Sequence, residues 1–317
     1  MLTQEFLFTE PPTPSCHAST LVETTARSLL AAWFGGKEEG ASDVGIWLAR
    51  REASGWARPV RVAFSGEVPC WNPVLHQLRR GPLLLFYRMG PSPQTWTAYM
   101  RRSTDDGRTW SEPQMLPSGV QGPVRNKPLE LSDGTLLCGS SAESYRCWDS
   151  WLDRSPDGGR NWTKQGPIHL PGHSDLIQPA LVQDGRRIIA FCRTRGLRHV
   201  ARAVSEDRGL TWKPAELIDV PQNNSGLDAV RLRDGRVVLI YNHHTAARTP
   251  LNLAVTGDYG HCWTAGPELE SAPGEYSYPA IIQAADGMIH FTYTWRRERI
   301  RYGRCRPEDL PQPVHRL

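Results

Sequence analysis

The apolar residues of this 317-residue chain fall in short runs bounded by Gly, Pro, Asp, Asn and Ser, the pattern of strands separated by tight turns. Asp133-Gly134, Asp184-Gly185, Asp234-Gly235 and Asp286-Gly287 each join two such runs. Asp-Gly in that setting is a strong hairpin signal, because the turn needs a positive φ that both residues tolerate. The four glycines are 51, 50 and 52 residues apart, and Arg80-Gly81 and the turn near Ala26-Arg27 extend the series upstream to six hairpins.

A second pattern keeps the same phase. Ser103-Thr-Asp105-Asp-Gly107-Arg-Thr109-Trp110 recurs as Ser155 to Trp162, Ser205 to Trp212 and Thr256 to Trp263, with tryptophans 52, 50 and 51 residues apart. A worn copy, Ser54-Gly55-Trp56, lies upstream. The chemistry is that of a tight turn. Asp accepts hydrogen bonds from the backbone N–H groups of its own turn, Gly supplies a positive φ, and Trp packs between neighbouring sheets.

Each unit reads as four strands. In the second these are Asn72–Leu78, Leu83–Tyr87, Trp96–Arg101 and Ser111–Leu116. Six units of about 51 residues predict an all-β, six-bladed β-propeller with four-stranded blades, a single domain over 1–317. The last unit has strands at Ala280–Gln283, Ile289–Thr294 and Ile300–Cys305 but no fourth. The strand-like Glu5-Phe-Leu-Phe-Thr9 is expected to supply it and close the ring, since an open array would leave bare edges at both ends.

Composition narrows the function classes. Hydrophobic residues make up 39% and charged residues 22%, and no apolar run is long enough to span a bilayer, so no membrane partner is expected. The net charge of +4 fits either an ordinary surface or a basic pocket for an anionic ligand. No Lys/Arg-rich tract is present, which argues against a nucleic-acid partner. The seven cysteines include no C-x-x-C pair, and Met1 to Ser15 lacks the basic start and apolar stretch of a signal peptide. Buried thiols and a reducing, cytoplasmic setting are expected. No Cys/His set has zinc spacing, so neither a metal nor another cofactor is expected.

Topology locates a site. The Asp-Gly turns and the Asp boxes share one face; the innermost strands begin on the other, where their first residues crowd around the axis. Those beginnings carry His17, Asn72, Arg125 with Lys127, Gln178, Asp228 and Tyr278, and the neighbouring loops add Glu39 with Asp43, Arg193, His243 and Arg296. Arg and Lys pair with a carboxylate, and amides and Asp read hydroxyls. Asp or Glu near the axis acts as general acid or base. The expected ligand is an acidic carbohydrate.

The repeats are those of the Asp-box, or BNR, motif. The chain resembles the predicted-neuraminidase branch of the sialidase superfamily through His17-Ala-Ser-Thr, Ala31-Ala-Trp-Phe-Gly-Gly36, Asp43-Val-Gly-Ile-Trp47, Pro69-Cys-Trp-Asn-Pro73, Gly90-Pro-Ser-Pro93, Arg125-Asn-Lys-Pro128, Asn224-Ser-Gly226 with Asp228, and Tyr276-Ser-Tyr-Pro279. The resemblance implies three arginines on a substrate carboxylate, an Asp acid/base and a Tyr nucleophile helped by a Glu. On this chain it points to Asp43 and Tyr278, with Glu39, Glu143 or Glu275 as helper and Arg125, Arg193 and Arg296 as an arginine cluster. One departure stands out: where the family's first arginine sits in an Arg-Ile-Pro motif, this chain reads Cys16-His17-Ala18. A sialidase-type hydrolase of a terminal acidic sugar is the first expectation. A lyase or glycosidase for another, uronic-acid-containing glycan, using His17 and Tyr278 as base and acid, is the second. A non-catalytic glycan-binding propeller is the third.

Overall fold

The computed structural model describes residues 1–313, which form six sheets arranged as the blades of a propeller, five of four strands and one, blade 1, whose outer position is shared by two short strands, Gly55–Trp56 and Val60–Ala63. Blade 2, for example, runs Cys70–Gln77, Leu83–Met89, Thr97–Ser103 and Gln114–Met115 from axis to rim. The N-terminal strand Thr3–Phe6 pairs antiparallel with Arg299–Cys305, Thr3 opposite Arg304 and Phe6 opposite Arg301, and completes blade 6 as expected. The closing strand starts two residues earlier than the sequence pattern suggested. The seam is reinforced where the Met1 ammonium meets Asp309 at 2.6 Å and where Trp56 of blade 1 packs edge-on against Tyr302 of blade 6.

The near-continuous apolar runs have a simple cause: both faces of each inner strand are covered by neighbouring blades. Leu83, Leu85 and Tyr87 face blade 1, while Leu84 and Phe86 face blade 3. Every junction between consecutive blades has its own apolar cluster, and the ring is held by these six interfaces among the described residues. Cys16, Cys70, Cys138, Cys192 and Cys305 are buried thiols within this packing.

The Asp boxes behave as their chemistry predicts. In the box of blade 4, Asp207 Oδ1 accepts the Thr211 N–H at 2.9 Å and Oδ2 the Thr211 hydroxyl at 2.6 Å, while Ser205 Oγ accepts the Gly209 N–H at 2.8 Å. Gly209 has φ +79°, and a Cβ there would meet Leu137 of blade 3 at 2.7 Å, so the residue serves both the turn and the packing between blades. A regularity absent from the sequence reading joins consecutive boxes. Arg50, Arg102, Arg154 and Arg202, on the third strands, each donate to a backbone carbonyl in the box of the next blade: Asp106, Gly158, Arg208 and Tyr259.

These boxes make the fold acid-sensitive. Burial opposes ionisation of Asp157 and Asp207, but the several hydrogen bonds each accepts together outweigh it and hold both at about 2. An Asp in the unfolded chain titrates near 3.9. The stabilisation is therefore complete above about pH 4 and is lost as pH falls towards 2. The urea midpoint is expected to drop across that window, and to drop less in Asp207→Asn; equal slopes for the two proteins would remove the boxes as the cause.

Candidate functional site

The convergent face is built on a repeated irregularity. The innermost strands of blades 1, 2, 4 and 6 slip register between His17 and Thr20, Trp71 and Val74, Ile177 and Ala180, and Ser277 and Ala280. Such bulges re-aim side chains at rims and sites. At each one a non-glycine residue takes a positive φ: Ala18 57°, Asn72 38°, Gln178 55° and Tyr278 50°. Residues held this way cost roughly 1–3 kcal/mol each and persist only when neighbours fix them. Here the fixing groups are side chains of the preceding blade. Thr294 Oγ1 accepts the Ala18 N–H at 3.1 Å, and Ser141 Oγ accepts the Gln178 N–H at 2.8 Å. Asn126 Nδ2 donates to the Gln178 carbonyl at 2.9 Å, and Asn242 Nδ2 to the Tyr276 carbonyl at 2.8 Å.

Tyr278 is the centre of this ring. The guanidinium carbons of Arg125, Arg248 and Arg193 lie 5.3, 5.6 and 5.7 Å from its ring centroid, and the His17 ring lies 4.3 Å away. Arg193 Nη1 donates to the Tyr278 hydroxyl at 2.6 Å, a bond that leaves the phenol's own hydrogen free to be given up. The same nitrogen donates to Gln178 Oε1 at 3.3 Å, and Nε donates to Asn224 Oδ1 at 2.9 Å. Arg125 Nη2 donates to the Pro279 carbonyl at 2.6 Å. Gly226 lets the backbone approach: a Cβ there would meet the Tyr278 ring at 3.2 Å.

The electrostatics follow from burial and crowding. His17 is 2% exposed, with Nδ1 lacking a partner. Burial, then the charges of Arg297, Arg248, Arg125 and Arg193, push its pKa well below the usual histidine value, so the ring is neutral. Burial also lowers the Arg125 guanidinium to about 10, with Asp228 opposing the shift. Glu275 accepts from Arg248 at 2.6 Å and from Arg297 at 3.0 Å; burial works against its ionisation, but these partners keep it below the ordinary glutamate range.

The residues proposed from sequence do not all meet. His17, Arg125, Gln178, Arg193 and Tyr278 meet at the axis. Lys127 and Asp228 are there too but face each other: the Lys127 ammonium donates to both Asp228 oxygens at 3.0 and 2.8 Å and to the Ala229 carbonyl at 2.8 Å, which uses all three of its hydrogens. Asn72 contributes its strained backbone, whose carbonyl accepts from buried Arg88 at 3.4 Å. Glu39 and Asp43 sit on the exposed loop after Gly36, Glu39 paired with Arg297 and Asp43 accepting the Lys37 N–H at 3.2 and 3.0 Å. The side chains of His243 and Arg296 point elsewhere, though the Arg296 N–H donates to the Glu275 carbonyl at 2.7 Å. His243 is exposed and bonded to the Tyr241 hydroxyl, and Arg296 turns outward over Trp295.

Arg248, Arg297 and Asn224 complete the cluster, and the sequence reading gave them no role. Nothing local distinguishes Arg248 or Arg297 from the chain's other arginines; only their loops' position on the convergent face could have marked them. No carboxylate among the described residues bonds the Tyr278 hydroxyl. The Arg193 nitrogen that bonds this hydroxyl also bonds the Gln178 amide, and Glu143, raised in pKa by burial against the pull of Arg193 and Arg88, has Oε1 without a partner.

The sequence profile of the BNR repeat-like domain matches residues 27–291. Among curated proteins, a sialidase of Bacteroides fragilis is 28% identical over 189 residues, covering 54% of this chain and 34% of the relative. A sialidase of Micromonospora viridifaciens is 25% identical over 252 residues, covering 67% and 38%. The chain thus spans little more than a third of the length of these relatives. Among solved structures, the intramolecular trans-sialidase from Ruminococcus gnavus in complex with oseltamivir carboxylate superposes with a TM-score of 0.77 at 14% identity, over 94% of this chain and 96% of that one. A protein of unknown function from Dyadobacter fermentans gives 0.75 at 18% identity, over 92% and 94%. These likenesses show a shared fold.

Proposed function

Because the chain belongs to the BNR repeat-like domain family, we propose that it is a sialidase-type hydrolase acting on a terminal acidic sugar of a glycan. The observation that carries this reading is the convergence of Arg125, Arg193 and Arg248 on one tyrosine ring, with Arg193 also bonded to its hydroxyl. A sugar carboxylate beside these cations would be charge-compensated in a partly dry site. Its anomeric carbon would then face Tyr278, and the phenol oxygen attacks it while its proton passes to a base. The adjacent base is His17, which burial keeps neutral and which lies ring to ring with Tyr278. Asp43, on the exposed loop, protonates the leaving oxygen and then activates water to release the sugar.

One observation favours a second reading. His17 and the carboxamide of Gln178 stand where a hydrolase would profit from an arginine and a carboxylate. In a uronic-acid glycan, His17 would take the proton beside the carboxylate while the arginines stabilise the carbanion. The C–O bond at the adjacent carbon breaks, a C=C bond forms, and Tyr278 donates its proton to the leaving oxygen. Both reactions are assayed on the same preparation. Release of fluorophore from a sialoside supports hydrolysis. Ultraviolet absorbance from a new double bond in uronic-acid oligosaccharides supports elimination and overturns the first reading. Calorimetric binding of either sugar without turnover would leave a glycan-binding propeller.

A further inference from the structure

The chain of charges from Arg248 to Glu39 does more than line the site. Arg297 has φ 58°, and its carbonyl accepts the Cys16 N–H at 2.7 Å, so its backbone is fixed next to His17. Its Nε donates to both oxygens of Glu275 at 3.0 Å, and its Nη1 reaches across to Glu39. Arg248 donates to Oε1 of the same carboxylate at 2.6 Å. The sequence Arg248–Glu275–Arg297–Glu39 therefore alternates in sign across blades 5, 6 and 1, and is neutral only while Glu39 stays in place.

Glu39 is the weak member. Residues 37–40 are all exposed, and the pair between Glu39 and Arg297 is 37% and 30% exposed at its two side chains. An exposed pair contributes little net stability. Arg125 and Arg193 are already occupied by Pro279, Gln178, Asn224 and Tyr278. An incoming carboxylate therefore finds its most replaceable competitor on Arg297. The same loop carries Asp43, folded back onto the Lys37 N–H.

We propose that Glu39 is a resident counter-ion that latches the 37–43 loop to Arg297, and that the carboxylate of an acidic sugar displaces it, binding Arg297 and freeing the loop that carries Asp43. This rests on the acidic-sugar reading above. The anion shifts the loop by the difference in its affinity for the latched and released forms.

The test uses the full chain, hydrogen exchange of residues 37–43, and calorimetry with N-acetylneuraminic acid and D-glucuronic acid at fixed ionic strength. Glu39→Gln is expected to speed exchange in the free protein and to tighten the bound sugar about two- to fivefold. Arg297→Ala is expected to speed exchange equally but to weaken the sugar about tenfold or more. A merely structural pair would move both variants in the same direction. If the wild type binds a sugar and Glu39→Gln leaves affinity unchanged or lower, the latch is wrong while the acidic-sugar reading stands. If neither the wild type nor Glu39→Gln binds either sugar, the acidic-sugar reading falls and the displacement step with it.

Discussion

Replacing Tyr278 with phenylalanine is expected to lower kcat of the proposed glycan cleavage by about 10²–10⁴-fold, with little change in KM or in thermal stability. The substitution removes one oxygen and keeps the ring. The packing with His17, Arg125 and Arg248 survives, and Arg193 keeps Gln178 and Asn224 as acceptors. Only the group that attacks, or that protonates the leaving oxygen, is lost. Tyr278→Ala would not isolate this effect, because it also empties the space that three guanidiniums share. The pH profile of the intact protein adds a second readout. In the proposed reaction the neutral form of His17 is the base, and burial lowers its pKa well below the usual value. Activity should therefore persist to more acidic pH than an ordinary histidine base permits, then fall as pH drops through the lowered pKa. A Tyr278→Phe variant within about threefold of wild-type kcat would rule out any chemical role for this hydroxyl.

The ring was legible because its cause is periodic. The Asp boxes and Asp-Gly turns repeat with a spacing that only a repeated sheet explains, and the closing strand followed from a blade that lacked one. The site was legible only at strand beginnings. His17, Gln178 and Tyr278 lie on strands whose position the repeat fixes, and the structure brings them together. Arg248 and Arg297 come from loops whose path no local pattern determines. Neighbouring Arg296 and Arg297 cannot be told apart in sequence, yet both have positive φ and one points out while the other points in. The bulges themselves depend on Thr294, Ser141 and Asn242 reaching in from the preceding blade, contacts some 34 to 276 residues long in sequence.

The second large effect is expected at Asp228, and it follows from what this carboxylate supports. It is 2% exposed, accepts both contacts from Lys127, and takes the Ile281 N–H at 2.9 Å, so one side chain joins blades 3, 5 and 6. Its charge also opposes the depression of Arg125. Asp228→Ala leaves the Lys127 charge uncompensated and the Ile281 N–H unpaired. Removing one partner of a buried pair costs about 3–5 kcal/mol, because the survivor remains desolvated without its counter-charge. Ile281 lies three residues beyond Tyr278, and Lys127 two beyond Arg125, so the lost brace stands directly behind the Tyr278 cluster. Activity should fall even at temperatures where the variant is still folded. Urea unfolding separates the contributions. Asp228→Asn keeps an acceptor for Ile281 and should lose less than Asp228→Ala. Lys127→Met combined with Asp228→Ala should lose less than the two changes summed, since no lone buried charge is left. Strict additivity in that cycle would mean that Lys127 and Asp228 do not act as a pair, and their availability to a ligand would have to be reconsidered.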